Sequence, residues 1–150
     1  MPSLLWQRTG EVACEPGFYC IDGVKAPCAA GRFGAASALS TSACSGPCQA
    51  GFVCSTSSRA PNSTLPEAGV EVTECGSPSV FCATGSASPV LVKDGYYSTP
   101  ADGPPERRTG ETICPQGSSC LAGIEQLCEP GKYGHDVGLS KCTEKCSAGR

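Results

Sequence analysis

The sequence predicts a small disulfide-rich fold, mostly irregular with short β-strands and hairpins, elongated, and with negligible helix. Three observations predict it: thirteen cysteines in 150 residues, a shortage of large aliphatic side chains, and an internal repeat that keeps its cysteines in register.

The shortage comes first because it removes the ordinary alternative. Leu, Ile, Val and Phe number 24 of 150, whereas a domain with a conventional core carries well over a fifth of such residues. Ala and Cys, 16 and 13 residues, make up almost half of the apolar count. Burying Ala yields little, since apolar stabilisation scales with the area removed from water. A disordered chain has no use for thirteen cysteines, so cross-links are left to hold the fold. No window shows the sustained i, i+3, i+4, i+7 apolar spacing of a helix.

Charge narrows the partners. The net charge is −3, with no basic stripe, which excludes nucleic acid as a partner class. The longest apolar stretch is far below the roughly 20 residues that span a bilayer, so no membrane insertion is expected in this segment. Met1 to Trp6 is too short for the apolar region of a signal peptide. The cysteine content nonetheless points to an oxidising compartment. The two agree if the chain is an internal piece of a longer secreted or membrane-anchored protein, or a truncated reading frame.

The repeat has a period of 100 residues. Arg8-Thr9-Gly10-Glu11 recurs as Arg108-Thr109-Gly110-Glu111, and Cys14, Cys20 and Cys28 recur as Cys114, Cys120 and Cys128. After a two-residue deletion, Cys44 and Cys48 match Cys142 and Cys146. With Cys54, Cys75 and Cys82 the first copy holds eight cysteines, and the second holds five. The organisation read from this is a partial segment 1–7, a complete repeat 8–107 with a long cysteine-free loop at 55–74, and a truncated repeat 108–150. An even count suits a disulfide framework. Eight cysteines allow 105 pairings, and spacing alone selects none of them.

A smaller grammar lies inside the period. Cys14-Glu-Pro-Gly-Phe-Tyr-Cys20, Cys48-Gln-Ala-Gly-Phe-Val-Cys54 and Cys114 to Cys120 share one form; Cys28-Ala-Ala-Gly-Arg-Phe-Gly34 is a variant. Each turns at a glycine that can take positive φ, then presents short extended residues. These units, with Ser42-Ala-Cys-Ser-Gly-Pro-Cys48 and Gly95-Tyr96-Tyr97-Ser98, resemble the ephrin-receptor-like cysteine-rich repeats. Those are similar in turn to tumour-necrosis-factor-receptor-like and growth-factor-receptor modules. The resemblance covers about residues 8–149. It implies an extracellular ectodomain segment that binds or spaces rather than catalyses, with an extracellular protein or glycan as partner. It also implies the pair Cys28–Cys44, which closes a Gly/Ala/Ser-rich loop, and its second copy Cys128–Cys142.

Other chemistry is poorly served. Structural zinc favours Cys-x-x-Cys, and the chain has none; the closest pairs, Cys44/Cys48 and Cys142/Cys146, have three residues between. No metal and no cofactor are expected. A thiol nucleophile would need a base, and the single histidine, His135, sits in a Gly-His-Asp turn. There is no nucleophile elbow or phosphate loop, so no enzyme is expected. Asn62-Ser63-Thr64 is an N-glycosylation sequence in the long polar loop. Arg107-Arg108 reads as a solvated pair rather than a processing site. Glu67, Glu71 and Glu74 read as a solvated face, and Trp6 and Tyr96-Tyr97 as plugs over disulfides rather than binding anchors. The function expected is a rigid spacer and interaction segment. A purely structural matrix or wall component is the alternative, and an intracellular zinc protein a weaker one.

Overall fold

A computed structural model describes residues 10–66 and 68–148. Trp6, Arg8, Thr9, Glu67 and Gly149, and the partial segment 1–7, lie outside the described residues.

The repeating event is a four-residue turn. The Glu15 carbonyl accepts the Phe18 N–H at 3.2 Å, and the same bond recurs at Ala29–Arg32, Gln49–Phe52, Ser77–Val80, Lys93–Tyr96, Pro115–Ser118 and Glu129–Lys132. The third turn residue is Gly in six of the seven; Gly17 has φ 89°, which a side chain adopts only with strain. Ser79 takes that place in the remaining turn.

Each turn opens a two-stranded antiparallel hairpin, seven in all among the described residues. In chain order these are β1 (Phe18–Ile21) with β2 (Val24–Pro27), β3 (Arg32–Phe33) with β4 (Gly46–Pro47), and β5 (Phe52–Cys54) with β6 (Val72–Glu74). Next come β7 (Val80–Phe81) with β8 (Val90–Leu91), and β9 (Tyr96–Thr99) with β10 (Gly110–Ile113). The last are β11 (Ser118–Leu121) with β12 (Ile124–Leu127), and β13 (Lys132–Tyr133) with β14 (Glu144–Lys145). We number the hairpins with their opening turns as units 1 to 7. The one helical stretch among the described residues is a 3-10 turn at Pro105–Arg107. Units 1 and 6 close through Asp22-Gly23 and Ala122-Gly123, all four residues at positive φ, the two-residue turn that matches strand twist.

Isolated two-stranded hairpins are marginal in water, so the units depend on their neighbours. Between units 1 and 2, the Gly17 N–H donates to the Gly34 carbonyl, and the Gly17 carbonyl accepts from the Cys28 N–H. The Cys20 N–H donates to Leu39, and Cys14 accepts from Ala38. All four bonds are 2.8–2.9 Å long. Units 2 and 3 repeat this through Gly31–Cys54, Cys48–Gly31, Gly34–Ser58 and Ser57–Cys28, and units 6 and 7 repeat it again. Each such bond contributes on the order of 1 kcal/mol net. The arrangement is a linear array of stacked units.

Contacts also reach the next unit but one. A Cβ built on Gly17 would lie 2.5 Å from the Ser57 carbonyl oxygen of unit 3, and one on Gly31 2.5 Å from that of Gly85 in unit 4. Gly51 approaches the Arg107 carbonyl oxygen of unit 5 in the same way, at 2.9 Å. The turn glycines therefore serve close backbone packing as well as the turn itself.

The 100-residue sequence period is five units long, since Gly17 and Gly117 open units 1 and 6. Position 107/108, the repeat boundary by sequence, falls inside unit 5, because β10 pairs back onto β9.

The core is made mostly of sulfur. Cys14, Cys28, Cys48, Cys54, Cys75, Cys82, Cys114, Cys120 and Cys142 are buried, joined by Phe52, Ala60, Val72 and Val92. Ala60 and Ser58 are buried although they belong to the long polar loop. The Ser58 hydroxyl donates to the Ser55 carbonyl at 2.6 Å, which folds the loop base inward and leaves Thr64 to Pro66 exposed.

Unit 5 alone lacks a cysteine. Val92-Lys-Asp-Gly-Tyr-Tyr-Ser98 fits the grammar of Cys14 to Cys20, with Val92 and Ser98 both buried in the cysteine places. The double variant Val92→Cys/Ser98→Cys is expected to close a seventh disulfide and add about 2 kcal/mol of stability. Two extra thiols titrating in the oxidised protein would contradict this.

Candidate functional site

The disulfides are the dominant feature, and the turns position them. In units 1, 3, 4 and 6 the bond spans the opening turn: Cys14–Cys20, Cys48–Cys54, Cys75–Cys82 and Cys114–Cys120. The turn brings these Cα atoms to 5.7–6.1 Å, inside the range a disulfide needs. In units 2 and 7 the structure joins Cys28 to Cys44 and Cys128 to Cys142. Glycine then stands at the place of the second turn-spanning cysteine: with the Cys28 Sγ already bonded to Cys44, a Cβ on Gly34 would crowd it at 2.9 Å. Cys146 is exposed and is the one free cysteine among the described residues. Every disulfide lies within a unit, and none links one unit to another.

The aromatic residues of the turns carry cations. Lys25 lies over the Phe18 ring at 4.2 Å, Arg107 over Phe52 at 5.2 Å and Lys93 over Tyr96 at 4.5 Å. Each cation also meets a carboxylate: Glu15, Glu74 and Glu111 in turn. Exposed contacts of these kinds are weak, being screened by solvent. The hydrogen bond and charge of Glu111 hold the Lys93 ammonium above its ordinary range. In unit 6 the set is replaced by the Ser118 hydroxyl donating to Glu125 at 2.9 Å. Tyr96 and Tyr97 are half-buried, and Tyr97 bridges to Gly123. Tyr133, the counterpart of Phe33, donates its hydroxyl to Glu144 at 2.6 Å, which raises the phenol above its usual value.

Two surface readings need correcting. Arg107-Arg108 is not a solvated pair. The Arg107 guanidinium donates to Glu74 at 2.7 Å. Arg108 is buried, donates from its side chain to the Pro100 carbonyl, and accepts the Cys82 N–H on its own carbonyl. Glu74 is therefore paired rather than part of a solvated acidic face, and one carboxylate oxygen of Glu71 is buried without a hydrogen-bond partner. The Arg107–Glu74 pair escaped sequence reading because its partners stand 33 residues apart.

The His135 ring is exposed and its Nδ1 lies 3.2 Å from Asp136, while its backbone carbonyl accepts from Gln116 Nε2 at 2.9 Å. Among the described residues no three His, Cys, Asp or Glu side chains come together to hold a metal ion. Asn62 is half-buried. Its Nδ2 donates to Gln49 Oε1 at 2.7 Å, and its Oδ1 accepts the Thr64 N–H at 3.0 Å and the Thr64 hydroxyl at 2.6 Å. A shallow groove beside β12 is lined by Leu121, Ile124, Leu127 and Lys141.

Among the described residues no helix is long and apolar enough to cross a membrane. Compared with known proteins, the chain matches no family profile and no curated protein. What the geometry establishes is a small cysteine-rich module whose core is its own disulfides.

Proposed function

We propose that the chain is a non-catalytic extracellular segment of a cell-surface or secreted protein, acting as a rigid spacer and protein-interaction module. The observation that carries this reading is the core of six disulfides, one in every unit but the fifth. Such bonds persist in oxidising compartments and are reduced in the cytosol. With its loops held before any partner arrives, little ordering entropy is lost on binding. The resemblance to ephrin-receptor-like repeats supports the same reading, and an extracellular protein or glycan is the partner it implies. A structural matrix or wall component would use the same array without a specific ligand, and saturable binding to a cell surface distinguishes the two.

The test is the intact mass of the chain secreted from an oxidising host, with thiols counted by alkylation. Oxidation is expected to lower the mass by about 12 Da, two hydrogens per bond, leaving the Cys146 thiol to react. A folded protein with most thiols free and zinc bound would replace this reading with the intracellular one.

A further inference from the structure

We infer that Asn62 carries an N-linked glycan whose root is fixed to unit 3 by Gln49. The inference rests on the extracellular reading above and adds a covalent site to it. Asn62 is the only asparagine in the chain, and Asn62-Ser63-Thr64 meets the Asn-x-Ser/Thr requirement. The geometry divides the two ends of the amide. The Oδ1 atom is occupied by the Thr64 N–H and hydroxyl, a compact local turn. The Nδ2 atom has two N–H groups and gives only one, to Gln49 Oε1.

That count matches the chemistry. A lipid-linked oligosaccharide diphosphate is the donor class required. The bond from its anomeric carbon to the diphosphate oxygen breaks, and the diphosphate leaves with the electron pair. A new bond joins the anomeric carbon to Nδ2, and Nδ2 releases one proton to a base of the transferase. One N–H remains on the glycosylated nitrogen, and one is what the Gln49 bond uses. The sugar and the folded contact therefore coexist.

Gln49 is itself held. Its N–H donates to the Pro61 carbonyl at 3.0 Å, and it follows Cys48, which is bonded to Cys54. The glycan thus springs from the cross-linked body of the unit, although Asn62 belongs to a loop. Thr64, Leu65 and Pro66 beside it are exposed, which leaves room for the sugar.

The experiment is secretion of residues 1–150 from a eukaryotic host behind a signal sequence, followed by intact mass before and after an amidase that releases N-glycans. A glycan is expected on the parent chain and none on Asn62→Gln or Thr64→Ala. Under native conditions Gln49→Ala is expected to release its glycan severalfold faster; an unchanged rate would overturn the role of Gln49. A secreted chain with all six disulfides and no sugar would overturn the glycan while leaving the extracellular reading in place. A chain recovered without disulfides would remove that reading, and the inference with it.

Discussion

Reduction of the six disulfides is expected to unfold the chain at neutral pH and room temperature, without denaturant. The bonds close loops with sequence separations of 6 to 16 residues, and none encloses another. In the chain-entropy account each is worth about 2–3 kcal/mol, so together they contribute roughly 15 kcal/mol. That equals or exceeds the roughly 5–15 kcal/mol by which whole domains are stable. Nothing else in the molecule replaces it, because the buried side chains are themselves mostly cysteines. The measurement is amide exchange of the oxidised protein against the reduced and alkylated one. Protection at the ladder amides of Gly17, Gly31 and Cys48 should vanish on reduction. Its survival would mean that the backbone ladder holds by itself.

The second large effect separates a turn from its packing. Gly31 and Gly131 occupy the same place in units 2 and 7, and both have φ 87°. A Cβ on Gly31 would press on the Gly85 carbonyl oxygen at 2.5 Å, whereas one on Gly131 meets nothing within 4 Å. Gly131→Ala should therefore cost only the left-handed conformation, about 1–2 kcal/mol. Gly31→Ala should cost that and the collision of two backbones, for a total of about 3 kcal/mol or more. Denaturant midpoints of the two oxidised variants decide it. Equal losses would show that contacts between alternate units carry no energy.

Some of this was legible in the residues. Cys14-x-x-Gly17-Phe18-Tyr19-Cys20 announces a turn, a short strand and a hairpin, and the scarcity of aliphatic residues announces a core of another kind. Contacts such as that of Gly31 with Gly85 were not legible, because carbonyl-to-backbone packing has no side-chain signature. Unit 5 was legible only in part, through Gly95-Tyr96-Tyr97-Ser98. Val92 and Ser98 keep the spacing of the cysteines while abandoning the residue that draws attention to it. The sequence around Asn62 was visible as a motif, but its partner Gln49 comes from the opposite side of a disulfide. Arg107 and Glu74 meet only because β6 and the 3-10 turn of unit 5 lie side by side.

That every disulfide stays within one unit has a mechanical consequence. Apart from the chain itself, the contacts across each unit boundary are non-covalent, so under a pull on the two ends the units can peel apart without breaking a covalent bond. Peeling gains little length where a disulfide clamps the strand that would otherwise run out. The two longest stretches outside any disulfide loop hold most of the slack. Between Cys54 and Cys75 the fully extended chain spans about 70 Å, and between Cys82 and Cys114, through unit 5, about 110 Å. Under tension the array would behave as stiff clamped segments joined by two extensible ones, the longer being the unit where valine and serine stand in for cysteine.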